Sequence, residues 1–290
     1  MDSQTVAAEL NEKLTIDLHC HSTASDGVLT PQELIMRASN MQVDVLALTD
    51  HDTIEGLKAA RLVATSIKPP VQLINGVEIS CAWQGLEIHV VGLNFDAEHP
   101  ALNELLGKQA ERRLTRAMTI AARLQRKGLE NCWRKVSLLA KGGQVTRAHF
   151  ARLLVNEGWV SLQKTAFKKY LRKGRNAYVA PPWCSISEAV LAIQAAGGQA
   201  VLAHPLDYQL ADSWLQRLLQ EFVDAGGDAM EVAQCQQTPA QRLKLAELAK
   251  KYALLASQGS DFHFPAGRRE LGRSLQLPEG STPVWSCWAP

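Results

Sequence analysis

The chain has 290 residues, of which 46% are hydrophobic and 21% are charged. These values predict a globular protein with one or two domains, and no apolar run reaches the ~18–20 residues that a membrane-spanning helix needs. The first 14 residues lack the basic and apolar regions of a secretory signal, so we expect a cytoplasmic protein with no membrane partner. The six cysteines form no C-x-x-C pair and are expected to be free thiols.

Charge is distributed unevenly along the chain, although the formal net charge is only +2. Residues 100–183 carry 18 Lys and Arg against 4 Asp and Glu, whereas the remaining residues carry 13 against 25. A basic segment of this kind often binds a polyanion. The alternative is a solvated helical surface without a partner. A basic run alone favours that alternative, but a metal site suited to phosphates in the same chain would reverse the balance.

Seven predicted strands alternate with predicted helices outside this basic segment. The strands are expected at 14–19, 43–49, 71–80, 86–94, 199–204, 228–233 and 253–258. Helices are expected to begin at the capping boxes of Thr30 with Glu33 and of Ser185 with Glu188. Further helices are expected around 53–65, 212–225 and 239–252. This alternation predicts an α/β fold, a barrel whose parallel strands all point toward one face.

The stretch from 100 to 183 departs from this alternation. Apolar residues recur at helical spacing from Leu102 to Leu124, Gly128 is a plausible stop, and a second helical region covers roughly 146–174. We therefore expect a barrel formed by residues 1–99 and 184–290, and a basic helical insertion at 100–183 that binds substrate. The tail after about 275 is rich in Pro and Trp and is expected to be irregular.

Nine residues that can bind metal ions lie at the predicted C-terminal ends of strands spread over the whole chain. They are His19, His21, Asp26, His51, Glu78, His89, His204, Asp261 and His263. Two residues separated by one position in a strand point to the same side, which pairs His19 with His21 and Asp261 with His263. Each motif alone is weak evidence. A barrel whose strands point toward one face would gather all nine, so we predict a multinuclear metallohydrolase.

The types of predicted ligand limit the metal. Mixed nitrogen and oxygen ligation suits Mn²⁺, Fe²⁺ or Zn²⁺, and the lack of cysteine ligands argues against a structural zinc site. Nine ligands imply two or three ions, with Glu78 or Asp261 as a bridge. Three neighbouring acids, which are either partners that orient ligands or helix caps and surface acids, are Asp17, Asp50 and Asp52.

Together with His89, the segments HCHSTASDG, TDHD, GVEIS, AHP and GSDFH resemble the motifs of the PHP (polymerase and histidinol phosphatase) family. The resemblance covers about 1–99 and 184–275. It implies a distorted seven-stranded β/α barrel with a trinuclear centre, for which we expect three Mn²⁺ ions, with Fe²⁺ or Zn²⁺ as alternatives. The implied ligand sets are His19, His21, Glu78 and Asp261 for one ion, Asp26, His51 and His263 for the second, and Glu78, His89 and His204 for the third.

The insertion restricts the resemblance to one group within the PHP family. The segments GGQVTRAHFARLLV, FKKYLRKGRNAYV and EVAQCQQ are similar to those of bacterial PHP proteins that act as 5′→3′ exoribonucleases and 3′,5′-nucleoside bisphosphate phosphatases. This similarity implies hydrolysis at RNA 5′ ends, including ribosomal RNA maturation, and of short oligonucleotides and nucleotides such as pAp. The alternatives are a small-metabolite phosphomonoesterase of the histidinol-phosphatase type and a non-catalytic metal-binding module. The basic insertion argues against the first and the complete ligand set against the second. No obligate protein partner is evident.

Hydrolysis by clustered ions needs no Ser or Cys nucleophile, but the phosphate needs contacts beyond the metals. The first candidates are Arg147 and His149, followed by Arg116. The guanidinium of the two arginines suits bidentate phosphate contact. The alternative is that these residues form an ordinary helix surface. The residues expected to follow the backbone of a longer substrate, or to form a solvated face, are Lys168, Lys169 and Arg172. Aromatic residues interleaved with these charges could stack on bases, but packing inside the insertion is the expected role for most of them.

Overall fold

Seven strands form one sheet, and their order in the sheet follows the chain in the computed structural model, which describes residues 14–265 and 268–288. The strands are β1 (Ile16–Asp17), β2 (Val45–Leu48), β3 (Gln72–Trp83), β4 (Leu86–Leu93), β5 (Gln199–Leu202), β6 (Ala229–Ala233) and β7 (Leu255–Gln258). The predicted number of strands is therefore confirmed. The predicted absence of a signal segment concerns residues that lie largely outside the described range, as do parts of both predicted barrel segments.

Helices cover the outside of this sheet or follow β4. They are α1 (Pro31–Asn40), α2 (Gly56–Ala64), α3 (Pro100–Gln125), α4 (Cys132–Leu139), α5 (Arg147–Asn156), α6 (Gln163–Ala166), α7 (Ile186–Ala195), α8 (Asp212–Asp224) and α9 (Pro239–Lys251). A π-helical turn, Phe167–Leu171, continues α6, and a 3₁₀ turn spans Val284–Cys287. Both predicted capping boxes are present at the starts of α1 and α7. Among the described residues, no helix is both long and apolar enough to cross a membrane.

The strands are not all parallel, so the prediction of a fully parallel barrel is wrong. β4 runs antiparallel to both β3 and β5, whereas the other neighbouring pairs are parallel. The reason is the two-residue connection Gln84–Gly85, where both residues have positive φ angles of 49° and 73°. Such a turn joins antiparallel strands, while a parallel pair needs a long crossover. The Gln-Gly pair was the sequence signal for this hairpin.

Hydrogen bonds beyond the regular strands bring the two edges of the sheet together. Leu18 N donates to Gln258 O at 3.1 Å, and Cys20 forms a parallel bridge with Phe262. The barrel is thus nearly closed, and its interior is filled by side chains from all sides. That interior cluster consists of Ile16, Leu18, Val45, Ala47, Ile74, Val91, Leu93, Val201, Ala203, Ala229 and Val284. The tail is irregular as predicted, but its Val284 is fully buried in the barrel interior.

The segment from 100 to 183 contains no strand among its described residues, which agrees with the helical prediction for this stretch. Its second half has a separate apolar core that includes Phe150 and Leu154. Helix α3 belongs to both parts of the molecule. Leu102 and Leu106 pack in the barrel core, the apolar cluster that joins the strands to helices α7, α8 and α9, whereas Ile120 and Leu124 pack in the separate core. One continuous helix therefore takes part in both the barrel and the insertion.

Candidate metal centre

The nine predicted ligands come together at one end of the barrel, although not all of them end a strand. His19, His51, His204 and Asp261 follow the short strands β1, β2, β5 and β7. By contrast, Glu78 lies within β3 and His89 lies within β4, so their placement at strand ends was wrong. The antiparallel hairpin still brings these two residues to the same place, because Glu78 pairs with Val91, two residues after His89.

The first group of candidate ligands contains His19, His21, Glu78 and Asp261. The two imidazole Nε2 atoms are 3.2 Å apart. Glu78 Oε2 lies 3.4 Å from His19 Nε2 and 3.3 Å from His21 Nε2. Asp261 Oδ1 lies 3.7 Å and 3.3 Å from the same two nitrogens. Four ligand atoms therefore surround one small space.

The second group lies next to the first and contains Asp26, His51 and His263. Asp26 Oδ1 is 3.3 Å from His263 Nε2 and 3.8 Å from His51 Nε2. His21 also belongs to this neighbourhood, since the ligand atoms of all four residues lie within 4.8 Å of one another. His21 is thus shared between two groups, a feature that spacing along the chain did not reveal.

Glu78 connects the first group to a third group that contains His89 and His204. Its Oε1 lies 2.8 Å from His89 Nδ1 and 2.9 Å from His204 Nε2, and the two nitrogens are 3.2 Å apart. Its Oε2 also lies 3.0 Å from His51 Nδ1. One fully buried carboxylate is therefore surrounded by imidazoles from all three groups.

The arrangement fits divalent metal ions better than hydrogen bonds among the ligands. Asp26 Oδ1 and Glu78 Oε2 are buried, and no described donor makes a hydrogen bond of good geometry with either atom. A buried, unpaired carboxylate oxygen is costly, and a cation relieves this cost. Imidazole nitrogen with carboxylate oxygen is a donor set that Mn²⁺, Fe²⁺ and Zn²⁺ accept.

Comparison with known proteins agrees with this geometry. The family model described as "PHP domain" matches residues 17–233. The chain belongs to the PHP domain family. The predicted resemblance is confirmed, and so is the α/β barrel with seven strands.

Three relatives illustrate the similarity of this PHP protein to others. It is 50% identical to a 5′-3′ exoribonuclease of Salmonella typhimurium over 97% of this chain and 96% of the relative. It is 40% identical to a 3′,5′-nucleoside bisphosphate phosphatase of Chromobacterium violaceum over 93% of this chain and 95% of the relative. It superimposes with a TM-score of 0.87 on a structure of an amidohydrolase from Chromobacterium violaceum with bound sulfate and no metal, at 40% identity, covering 94% and 95% of the two chains.

The PHP site contains one carboxylate that sequence reasoning missed. Glu231, in β6, lies with Oε1 2.6 Å from His19 Nδ1, and its Oε2 accepts the His204 backbone N–H at 2.6 Å. Burial lowers the pKa of His19, but the charges of Glu231 and Glu78 outweigh burial and raise it to about 10. A carboxylate behind a metal-binding histidine fixes the orientation of the ring. The signal was an acidic residue inside the apolar strand DAMEVA.

Two candidate ligands adopt backbone conformations that are rare for residues other than glycine. Asp261 has a φ of 52° and His204 a φ of 29°. Such conformations persist only when the surroundings hold them, and they cluster at functional sites. Here the Asp261 N–H donates to His19 O at 2.8 Å, and Arg269 donates to Asp261 Oδ2. Arg269 is a second residue of the site that the sequence did not indicate.

The three neighbouring acids are buried and hold the segments that carry the ligands, so the alternative that they cap helices or lie on the surface is wrong. Asp50 accepts the Ser22 N–H at 2.8 Å and the Ser25 hydroxyl at 2.6 Å, which fixes the loop between His21 and Asp26. Asp17 accepts the Ser260 N–H at 2.8 Å, next to Asp261. Burial raises the pKa of both carboxyls. Asp52 accepts the Ser80 N–H of β3 at 2.8 Å and also binds α3.

Arginines converge beside the third ligand group. Glu87 Oε2 lies 3.2 Å from Arg116 Nη1 and 3.1 Å from Arg147 Nη2, and Glu87 Oε1 lies 3.6 Å from His89 Nε2. A small pocket next to this cluster is lined by Arg113, Arg116 and Arg147. Burial lowers the pKa of Arg116 to about 10, which leaves it charged at neutral pH. Arg147, whose side chain is 29% exposed, is the more accessible of the two arginines predicted to contact phosphate.

His149 has a structural role that argues against the predicted phosphate contact. It is only 1% exposed, and its Nδ1 accepts the Thr146 backbone N–H at 3.1 Å in the capping box of α5. Burial lowers its pKa to about 4, so the ring is neutral near pH 7 and adds no positive charge. Thr146 in turn donates from its hydroxyl to Asp26 Oδ2 at 2.9 Å.

The residues predicted to follow a longer substrate are exposed on and after the π-helical turn. These are Lys168, Lys169 and Arg172. Most of the interleaved aromatic side chains pack in or against the separate core of the insertion, which is the role expected for most of them. These are Trp133, Phe150, Trp159, Phe167 and Tyr170. Phe167 is an intermediate case, since it packs against this core and also lies 5.9 Å from the Arg147 guanidinium.

Proposed function

We propose that this PHP protein is a metal-dependent phosphoesterase that acts at RNA 5′ ends and on 3′,5′-nucleoside bisphosphates. The observation that carries the proposal is the convergence of three ligand groups on Glu78, whose two oxygens lie 2.8–3.4 Å from five imidazole nitrogens. Relatives at 40–50% identity over nearly the whole chain have these activities. RNA, short oligonucleotides and bisphosphonucleotides are therefore the proposed substrates.

In this proposal the three implied ligand sets hold three ions, with Mn²⁺ as the preferred metal. Divalent ions in such a site lower the pKa of bound water and neutralise charge on phosphoryl oxygens. Glu78 bridges the groups, while Glu231 and Arg269 orient His19 and Asp261. The proposed cytoplasmic location, where thiols stay reduced, is compatible with the buried free thiol of Cys20, which donates to Ala47 O at 3.2 Å.

The basic insertion is proposed to bind the rest of the substrate. Arg147 lies at the edge of the ligand cluster, so its guanidinium can donate to oxygens of a phosphate that is bound there. Arg116 is buried, stacks over Trp183 at 5.0 Å and pairs with Glu87, so its proposed part is to hold Glu87 and Arg147 beside the phosphate. Lys168, Lys169 and Arg172 are proposed to follow the RNA backbone.

Hydrolysis of defined substrates by the Mn²⁺-loaded protein tests this proposal. We expect mononucleotides from 5′-phosphorylated RNA of graded length and inorganic phosphate from pAp. His19→Ala and Asp261→Ala should each lower kcat/KM by at least about 100-fold, since losing a ligand should cost more than losing a residue that orients one. His99→Ala is the matched control, because His99 lies before α3 and outside the ligand groups. Full activity of either ligand variant with metal present would refute the proposal.

A further inference from the structure

The insertion contacts the ligand-bearing strands through a buried polar network on α3. Gln109 and Arg113 lie one helical turn apart and are 0% and 5% exposed. Such side chains are rarely buried unless they are paired. Their common partner is Asp52, which is buried and directly follows His51. The sequence indicated Asp52 as an acid of undecided role and did not indicate Arg113 at all.

Both oxygens of Asp52 are occupied by this network. Oδ2 accepts from Arg113 through Nε at 3.1 Å and also through Nη2. Oδ1 accepts from Gln109 Nε2 at 3.0 Å and from the Ser80 N–H at 2.8 Å. Arg113 Nη2 also donates to Ser80 Oγ at 2.8 Å. Helix α3 is thereby tied to β3, two residues beyond Glu78.

Asp52 transmits this contact to two candidate ligands through the backbone. Its own N–H donates to Glu78 O at 2.9 Å, and the preceding His51 forms a parallel bridge with Glu78. Its φ of 51° lies in the left-handed region, where a residue other than glycine needs support from its surroundings. The position of His51 relative to Glu78 therefore depends on what holds the Asp52 side chain.

We propose that Arg113, assisted by Gln109, is a positioning residue that sets the geometry of the metal centre through Asp52. The insertion then completes the metal centre in addition to binding substrate. This inference rests on the proposed metal binding but not on the identity of the substrate. Arg113 donates to Asp52 and Ser80 and is not itself proposed as a ligand.

Metal binding by full-length variants tests this role. We expect Arg113→Met to weaken Mn²⁺ binding about 10- to 100-fold, as is typical when a residue behind a ligand is removed. Arg113→Lys keeps the charge but not the forked donor geometry, so its effect should be smaller. Lys108→Ala removes a positive charge from the exposed face of the same helix and should bind as the unaltered protein does. Mn²⁺ content at fixed free metal and isothermal titration measure these effects.

A double-variant cycle tests whether Arg113 acts through Asp52. Asp52→Asn should weaken Mn²⁺ binding, and the combination with Arg113→Met should cost little more than the worse single change. Additive losses would overturn the route through Asp52. Unaltered Mn²⁺ affinity in Arg113→Met would overturn the positioning role. If Arg113→Met does not fold, Arg113→Lys decides: reduced affinity relative to Lys108→Ala supports the role, and equal affinity overturns it.

Kinetics separate this inference from the proposed function. In the unaltered protein, strong Mn²⁺ binding without hydrolysis of 5′-phosphorylated RNA or pAp would refute the proposed function. The positioning role would still be judged by the Mn²⁺ affinities alone. If both hold, Arg113→Met at limiting Mn²⁺ should lower kcat with little change in KM for pAp, and added Mn²⁺ should restore part of kcat. A direct substrate contact would raise KM instead.

Discussion

Glu78 shows how a single residue organises the site. Its carboxylate is fully buried among five imidazole nitrogens that come from β4 and from the segments after β1, β2 and β5. Burial raises the pKa of this carboxyl, but the surrounding histidines outweigh that effect and hold it well below the usual range. The group is therefore ionised and available to bridge cations at neutral pH. No other acidic residue in the described chain contacts all three ligand groups.

His149 offers a pH test at the scale of one residue. Its pKa is lowered to about 4 in the folded protein, against about 6.5 when unfolded. Between pH 6.5 and pH 4 the unfolded chain binds a proton on His149 that the folded chain does not. The contribution of the neutral, buried ring to the free energy of unfolding is therefore complete above pH 6.5 and is lost as the pH falls to about 4. The loss is on the order of 3 kcal/mol.

The matched variant for this test is His149→Gln. Glutamine at the third position of α5 can still accept the Thr146 N–H in the capping box but does not titrate. Chemical denaturation after removal of metal by a chelator measures the free energy of unfolding at pH 7 and pH 4.5. This free energy should fall less between the two pH values in the variant than in the unaltered protein. Parallel losses in the two proteins would mean that His149 is not buried in its neutral form.

At the scale of elements, helix α3 connects the insertion to the barrel. Its first turns pack in the barrel core, its middle carries Gln109 and Arg113, and its last turns pack in the separate core. The basic charge of the insertion is therefore not uniform in its role. Arg113 and Arg116 are buried and paired with acids, whereas the three cations on and after the π-helical turn are exposed.

The exposed cations near the π-helical turn should affect long substrates more than short ones. Replacing Lys168, Lys169 and Arg172 with alanine should raise KM for oligonucleotides about 10-fold or more and leave pAp turnover nearly unchanged. The salt dependence of oligonucleotide binding should also weaken, by about 0.7 in slope for each phosphate that is no longer neutralised. The matched control is alanine at Lys244, Lys250 and Lys251 on α9. Equal effects on the two substrates would contradict a role in following the backbone.

At the scale of the whole molecule, the barrel gathers charged groups that are costly to bury together. Asp26, Glu78, Glu231 and Asp261 are all buried at one end of the barrel. Several histidines lie between them, but imidazole charges there also repel one another, and burial holds the pKa of His21 well below its usual range. Bound cations would relieve this repulsion, so metal binding and folding stability should be coupled.

Metal removal should therefore destabilise the whole fold. A ligand at 100 times its dissociation constant adds about 2.7 kcal/mol for each site. For a chain of this size that corresponds to an increase in Tm of about 4 °C for each site. Thermal unfolding with EDTA and with added Mn²⁺ measures the shift. Asp26→Asn should reduce it, while His99→Ala should retain it. A Tm insensitive to millimolar Mn²⁺ would contradict the coupling.

The sequence predicted the features that depend on neighbouring residues. The number of strands, the capping boxes of α1 and α7 and the helical character of 100–183 follow from local periodicity and turn chemistry. The family motifs could also be recognised in the sequence, because each is a short continuous segment such as TDHD or GSDFH. The hairpin at Gln84–Gly85 also depends only on neighbouring residues, so its turn could have been predicted. The predicted direction of β4 was wrong because all strands were assumed to belong to a parallel barrel.

By itself, then, the sequence determined which residue types could bind metal, where along the chain they lie and that a basic segment interrupts the barrel. Only the tertiary structure decided that His21 is shared by two ligand groups, that Glu231 stands behind His19 and that Arg113 holds Asp52. The physical reason is that these contacts join residues far apart in the sequence, by 212 positions for His19 with Glu231 and by 61 positions for Arg113 with Asp52. Periodicity reports which face a side chain occupies, but only the packing of the barrel and α3 sets what it meets there.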